Sequence, residues 1–448
     1  MTSTSRSLLI VIGVLAALAT SPAQSNLPAW GYLSAPERGV KDNALHGVAA
    51  SSPNDVWAVG EFNPNIIPTV TGRRTLTEHW DGSNWTIVKS PNPSYSGLQF
   101  ASLQAVDKVS STDLWAVGYS SDGARELTLI EHWDGSTWKI VPSPNPAGVN
   151  GLNELFDVLA IATNNVYAVG GEGYDGSPII LHWDGNVWHT VANGCSKFGE
   201  LYGVTATSAA DIWAVGENQS CHFDGSTWTK FAIPSEPGIR ILNDVSAISP
   251  TDVWAVGYYQ VCTPLGCANY PYPLHWDGSR WSVIPSPGSS LNGVLAQATN
   301  DVWAVGTSTS FKTLVVHWDG ATWSTVPSPT FGTFESLNEI AAAGPDNFWA
   351  VGEYTNKNNY SQNIILQAPS ATQGTLTGNV NRGRANITWI GSQSGSTTAD
   401  PSGDYGVAGI PAGQYTVTVS ANGCTPASTN LTIDPGQTTV QNFQLQCP

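Results

Sequence analysis

The chain has 448 residues, of which only 11% are charged, with 34 acidic against 17 basic side chains and a formal net charge of −17. That balance excludes the basic face a nucleic-acid partner requires and favours solubility instead. The 45 Gly and 29 Pro announce many turns.

The first segment, 1–23, carries a basic residue at Arg6, an apolar run from Leu8 to Ala19 and a small-residue exit ending at Ala23. It reads as a secretory signal peptide, and its apolar run is shorter than the ~20 residues a membrane-spanning helix needs. No later apolar run is long enough to span a membrane, so a secreted, extracellular protein is expected.

The next stretch, "AWGYLSAP" from Ala29 to Pro36, aligns with "NWTIVKSP" from Asn84 to Pro91. It belongs to a unit that recurs along the chain. The phrase "D-x-W-A-V-G" holds Trp57, Trp115, Trp213, Trp254, Trp303 and Trp349, with Tyr167 in the remaining copy. A second phrase, "H-W-D-G-x-x-W", follows in most copies and supplies pairs such as Trp80 with Trp85 and Trp133 with Trp138. Spacings of about 41 to 58 residues point to a propeller or a comparable repeat array.

Within each unit the apolar runs are short, rich in Val, Ile and Trp, and bounded by Gly, Pro, Asp and Ser, without a 3.6-residue rhythm. Four strands per unit, A to D, are expected as a meander. The Asp-Gly pairs at Asp81, Asp134, Asp184, Asp224, Asp277 and Asp319 mark tight C-to-D hairpins. The seventh unit has A, B and C strands but no D strand, whereas the segment at Trp30 is a D strand without a unit. The expectation is an all-β, seven-bladed β-propeller over 24–369, closed by that N-terminal strand, with the tryptophans packing between blades.

Six cysteines suit disulfides in an exported chain. Their positions suggest three local pairs: Cys195 with Cys221, Cys262 with Cys267 inside one loop, and Cys424 with Cys447. Zinc needs close Cys or His company that none of these has, so no metal and no cofactor are expected.

After Ser370 the repeat phrases stop, and short alternating strands rich in Thr, Gly and Asn predict a C-terminal β-sandwich over 370–448. The run "GDYGVAGIPAGQYTVTVSANG", followed by "GQTTVQNFQL", resembles the carboxypeptidase regulatory-like domain, a prealbumin-like sandwich. That resemblance implies an accessory module without peptidase activity. The propeller units resemble the secreted bacterial kelch and galactose-oxidase central-domain type of repeat, through the Gly-ended B strand and the late Trp after the C-to-D turn. The Asp-Gly hairpin is also similar to the sialidase Asp-box, but sialidases need three arginines, and none of Arg38, Arg73, Arg74, Arg125, Arg240 and Arg280 is expected within an inner A strand.

Six of the eight histidines (His79, His132, His182, His222, His275 and His317) occupy one repeat position. A group repeated around a ring is structural, because catalysis needs it once. The same holds for Asp55, Asp113, Asp211, Asp252 and Asp301, expected to hydrogen-bond the A-to-B turns. The copies differ in their B-to-C and D-to-A loops, which a meander places on one face, where binding usually resides. That face is expected to present Glu61, Arg73, Arg74, Tyr119, Arg125, Glu172, Tyr174, Asp175, Glu217, Tyr258, Tyr259, Tyr270, Tyr272, Glu353 and Tyr354. Among them Glu61, Arg73, Tyr119, Arg125, Tyr174, Glu217, Tyr258 and Glu353 are the ligand-binding candidates. Tyrosines among scattered carboxylates suit a polar ligand, an extracellular glycan or a surface protein.

Catalysis has thinner support. A glycosidase needs two carboxyls about 5 to 9.5 Å apart, and Glu61, Glu217 and Glu353 fall on different blades. His46, at the start of an A strand beside the channel mouth, and Glu61 are the catalytic candidates. A secreted, non-catalytic binding or adhesion protein is therefore the leading expectation, and an extracellular polysaccharide lyase or glycoside hydrolase with its site at the channel mouth is the alternative.

Overall fold

A computed structural model describes residues 30–38, 42–64, 72–93, 100–172, 176–264, 266–368, 373–391, 394–434 and 437–447. The expected signal segment, 1–23, lies outside them. Up to Ala368 the described residues form seven antiparallel sheets in a β-propeller, six of four strands and one of five.

Each sheet's innermost strand touches the innermost strand of the next, and the first of these, Asn43–Ser52, touches the last, Glu335–Gly344. The ring is therefore closed in space as well as in repeat pattern. Its last sheet is completed from the other end of the chain: Gly31–Tyr32 pairs with Ser361–Ala368, Gly31 opposite Gln367 and Tyr32 opposite Leu366. Leu33 N donates to Ile365 O at 2.9 Å and extends that pairing.

The tryptophans explain why successive sheets hold together. Trp115 packs on Trp183 and Trp188 of the following sheet, with ring centroids 5.1 and 5.5 Å apart. The same contact recurs from Trp57 to Trp133 and Trp138, from Trp213 to Trp276 and Trp281, from Trp254 to Trp318 and Trp323, and across the closure from Trp349 to Trp80 and Trp85. Most of these contacts are tilted or edge-on, the geometries that aromatic quadrupoles favour.

The repeated Asp and His residues meet each other, and three of the Asp carboxylates also accept a hydroxyl at an A-to-B turn, as expected: Thr163 Oγ1 donates to Asp113 at 2.7 Å, Thr299 Oγ1 to Asp252 at 2.6 Å, and Thr207 Oγ1 to Asp211. His79 Nε2 lies 2.7 Å from Asp55 Oδ1, His132 Nε2 2.8 Å from Asp113, His222 Nε2 2.5 Å from Asp211, His275 Nε2 2.9 Å from Asp252 and His317 Nε2 2.8 Å from Asp301. Each imidazole also lies against the Trp of its own B strand, as His79 does on Trp57 at 4.4 Å. The pairs thus fasten the B and C strands to one another through one oxygen of each carboxylate. The turn carboxylates two positions after the histidines act separately. Asp134 Oδ1 accepts the Ser136 and Thr137 amides at 3.0 and 2.9 Å, with Gly135 at φ +87°, the positive φ that such a hairpin requires.

One variable connection is more ordered than a loop. Asp252–Thr263 runs on beyond its sheet and pairs with Gly266–Pro271 as a projecting hairpin, and the Cys262–Cys267 disulfide joins its tip. Cys195 is joined to Cys221.

From Gln373 the chain forms a β-sandwich of two sheets. Asp404–Pro411, Gln373–Asn379 and Thr438–Val440 make one sheet, and Gly395–Thr398, Asn386–Ile390, Gly413–Ser420 and Ala427–Ile433 the other. Between them lie Leu376, Ile387, Trp389, Tyr405, Tyr415, Val417 and Phe443. A core of this size is small, and the Cys424–Cys447 disulfide ties down the chain end. Replacing both cysteines by serine is expected to lower this domain's stability by about 2 to 4 kcal/mol, read as an earlier loss of the Trp389 signal on heating with the propeller transition unchanged.

The sandwich rests on the closing strand of the propeller. A Cβ on Gly31 would overlap the Thr375 side chain, and one on Gly406 would overlap the Tyr32 carbonyl, so both positions permit close backbone approach.

Candidate functional site on the variable-loop face

Every innermost strand carries a one-residue irregularity just after its leucine, as between Leu45 and Gly47, Leu155 and Asp157, or Leu242 and Asp244. Such bulges turn side chains out of the ladder. Here they turn His46, Gln104, Phe156, Tyr202, Asn243, Asn292 and Asn338 toward a central cavity of about 310 Å³. An innermost strand is also an edge strand, with backbone groups left to satisfy. The neighbouring sheet's side chains do this. Asn243, Asn292 and Asn338 donate to the carbonyls of Leu291, Leu337 and Leu45, each at 2.8 Å. Asp157 and Asp244 accept the amides of Val204 and Val294 at 2.7 Å. Burial pushes the Asp244 carboxyl up to about 7. Asp157 and Glu339 are raised well above their ordinary values by burial first and then by Asp244.

His46 borders this cavity, but its Nε2 is enclosed and without a hydrogen-bond partner. Burial, and then the Arg73 charge, bring its pKa down to about 4, so the imidazole is neutral at physiological pH and its enclosed nitrogen faces protein.

On the variable-loop face the candidates separate into groups. Glu61 is 4% exposed and ion-paired to Arg73; the Arg73 guanidinium lies over the Phe100 ring at 5.6 Å, and Tyr119 stacks on the same ring at 5.5 Å. This column presents Tyr119 and Arg73 but encloses the Glu61 carboxylate. Arg125 Nε donates to Asp122 at 2.9 Å. Glu217 and Tyr258 are neighbours, and burial and then the Glu217 charge raise the Tyr258 phenol. Glu353 is half-buried in the seventh sheet, remote in chain and sheet order from Glu217. Tyr174 and Asp175 lie outside the described residues. Arg240 falls within the inner strand Ile239–Ser249, contrary to expectation, where its guanidinium is taken by Asn218 Oδ1 and Pro234 O.

Between Tyr119 and Tyr258 runs a row of acids that sequence reasoning passed over: Glu126, Glu154 and Glu200, with Tyr202. Glu154 is raised to about 8 by burial, then by the charge of Glu126, with which it shares a hydrogen bond, and by Glu200. Glu200 is raised chiefly by burial and accepts the Tyr202 hydroxyl at 2.7 Å. Tyr119 is pushed up to about 12 by burial and by Glu154 and Glu126. The available signal was the dipeptide Glu-Leu at 126–127, 154–155 and 200–201, which sets an acid at the same end of three successive sheets. Exposed apolar side chains stand around this row: Phe198 at 69%, Ile239 at 49% and Tyr270 at 45%, the last stacked on Tyr259 at 5.1 Å. Among the described residues no group of three or more His, Cys, Asp and Glu could hold a metal ion, and no helix is long and apolar enough to cross a membrane.

Among solved structures the chain is similar to YCF48 bound to a D1 peptide (14% identity, 76% of this chain and 99% of that one, TM-score 0.48). It is similar to YCF48 from Cyanidioschyzon merolae (16%, 76% and 98%, TM-score 0.48) and to a chain of the mitotic checkpoint complex (11%, 79% and 98%, TM-score 0.49). These are likenesses of overall shape and carry nothing about ligands. No curated protein matches the chain. Residues 373–446 match the carboxypeptidase regulatory-like domain.

Proposed function

We propose that this is a secreted, non-catalytic binding protein, a closed seven-bladed kelch-like propeller that recognises an extracellular glycan through its variable-loop face. The observation that carries this reading is the row from Tyr119 through Glu126, Glu154, Glu200 and Tyr202 to Glu217 and Tyr258. Glu154 and Glu200, both raised chiefly by burial, can donate as well as accept hydrogen bonds when protonated, and tyrosines offer flat apolar faces with a polar tip. Neutral sugar hydroxyls are matched by that combination. Three disulfides fit an oxidising, extracellular setting, with 1–23 as the export signal, and the sandwich serves as spacer.

Binding to a panel of neutral polysaccharides is expected to fall about tenfold or more in Tyr258→Ala and Glu154→Ala, the loss typical of a central contact. Binding undiminished in both variants, or the release of new reducing or unsaturated ends, would refute this reading.

A further inference from the structure

A second cleft lies between the propeller and the C-terminal sandwich, lined by the C-to-D hairpin of the first sheet and by the segment Leu33–Glu37 after the closing strand. Its volume is about 460 Å³, within the roughly 300–1,000 Å³ of ordinary small-molecule sites. Two hydrogen bonds bridge the domains here: Ser34 Oγ, after the closing strand, donates to Thr398 O at 2.8 Å, and Tyr354, in strand Asn347–Thr355, donates to Asp400 Oδ2 at 3.3 Å. With the Thr375 side chain packed on Gly31 and Gly406 packed on the Tyr32 carbonyl beside it, the cleft has fixed walls.

Those walls combine three kinds of group. Trp80, Trp85 and Trp389 supply the apolar surface. Glu37 and Asp400 supply two carboxyls that feel each other: Glu37 rises to about 7 through burial and then Asp400, while Arg384 pulls it down. Arg384 supplies the single cation; it holds a left-handed φ of +61° and donates its amide to Asp400 O at 3.0 Å. A non-glycine residue is uncommon there.

We propose that this cleft is a second ligand site, taking one or two units of a neutral saccharide against the tryptophans, with Glu37, Asp400 and Arg384 hydrogen-bonding its hydroxyls. Charge decides the ligand class. An anion meets two acids, a cation meets Arg384, and an apolar ligand leaves Glu37 and Arg384 desolvated without partners, at a cost of several kcal/mol. A polyol satisfies acids and guanidinium together. The site shares no residue with the row from Tyr119 to Tyr258, so one molecule engages two glycan segments and gains avidity on a polymer.

The test uses the full-length protein with cello-, xylo-, malto- and manno-hexaose, by calorimetry and saturation-transfer NMR, alongside Glu37→Gln, Arg384→Ala and Tyr258→Ala. Arg384 is exposed, so its variant keeps the fold, and unchanged melting establishes this for all three. The expected result is a hexaose whose affinity falls fivefold or more in both Glu37→Gln and Arg384→Ala and is unaltered, for that component of binding, in Tyr258→Ala. Absence of binding by all four sugars at millimolar concentration overturns the proposal, as does binding insensitive to both cleft variants. Calcium binding that is lost in Glu37→Gln, with no sugar bound, overturns it in favour of a cation. A failure confined to Tyr258→Ala bears only on the variable-loop face.

Discussion

Trp30→Ala is expected to destabilise the propeller by about 3 to 5 kcal/mol, the usual cost of removing a buried Trp, and to loosen the ring at a single place. Trp30 is 2% exposed and lies edge-on against Trp303 at 6.1 Å, in one core with Phe348, Ile364 and Leu366. The equivalent Trp323 belongs to a D strand whose connection to its own sheet is a hairpin. Losing Trp323 leaves that strand tethered, whereas losing Trp30 weakens a short strand that no hairpin ties to its sheet. Chemical denaturation should therefore give similar losses for the two variants, but light scattering should find self-association only in Trp30→Ala, through the uncovered edge of Ser361–Ala368. Equal association of both variants, or of neither, would remove the special role given to the closing strand.

The second large effect is alkaline destabilisation. Glu78 and Glu131 occupy the same C-strand position in the first and second sheets, where later sheets carry Leu181, Cys221, Leu274, Val316 and Leu366. Both are fully buried, and burial raises each to about 8. Glu78 accepts Asn363 Nδ2 at 3.1 Å, and Glu131 accepts Ser90 Oγ at 2.8 Å. A folded-state pKa above the unfolded one means that the native chain binds more protons, so stability falls as pH rises through the interval between the two. The window runs from about 4.5 to about 8, with a ceiling of about 5 kcal/mol per carboxyl at its alkaline end. Glu131→Gln keeps an acceptor for Ser90 and carries no charge. It should match the parent at pH 5 and exceed it at pH 9, and the double variant with Glu78→Gln should flatten the pH profile further. A parent protein equally stable at pH 5.5 and 9 would contradict this account.

The repeat tryptophans, the Asp-Gly hairpins and the displaced strand at Trp30 were legible in the sequence because each is a local pattern that recurs, and so were the three cysteine pairs, which are close in sequence. What escaped depends on contacts between repeats. The partnership of Asp113 with His132 joins two positions that each look like ordinary turn or strand residues, and only the meander brings them to 2.8 Å. The acids Glu126, Glu154 and Glu200 come from separate repeats and read singly as solvated charges; their mutual influence arises when successive sheets stack. Glu61 failed as an open carboxylate for a similar reason, since Arg73 reaches it only once the B and C strands pair. Of the eight ligand-binding candidates, Tyr119, Glu217 and Tyr258 lie along one row, Arg73 flanks it, and Arg125 is held by Asp122.

The register of the closing strand has a mechanical consequence. Because Gly31 faces Gln367, the chain entering at Trp30 and the chain leaving at Ala368 depart from the same end of one antiparallel pair. Tension applied across the propeller, between Trp30 and Ala368, loads that pair by peeling, one hydrogen bond after another, instead of shearing all of them at once. A molecule gripped through its loops bypasses this line, and the sandwich packed on Gly31 and Tyr32 braces it.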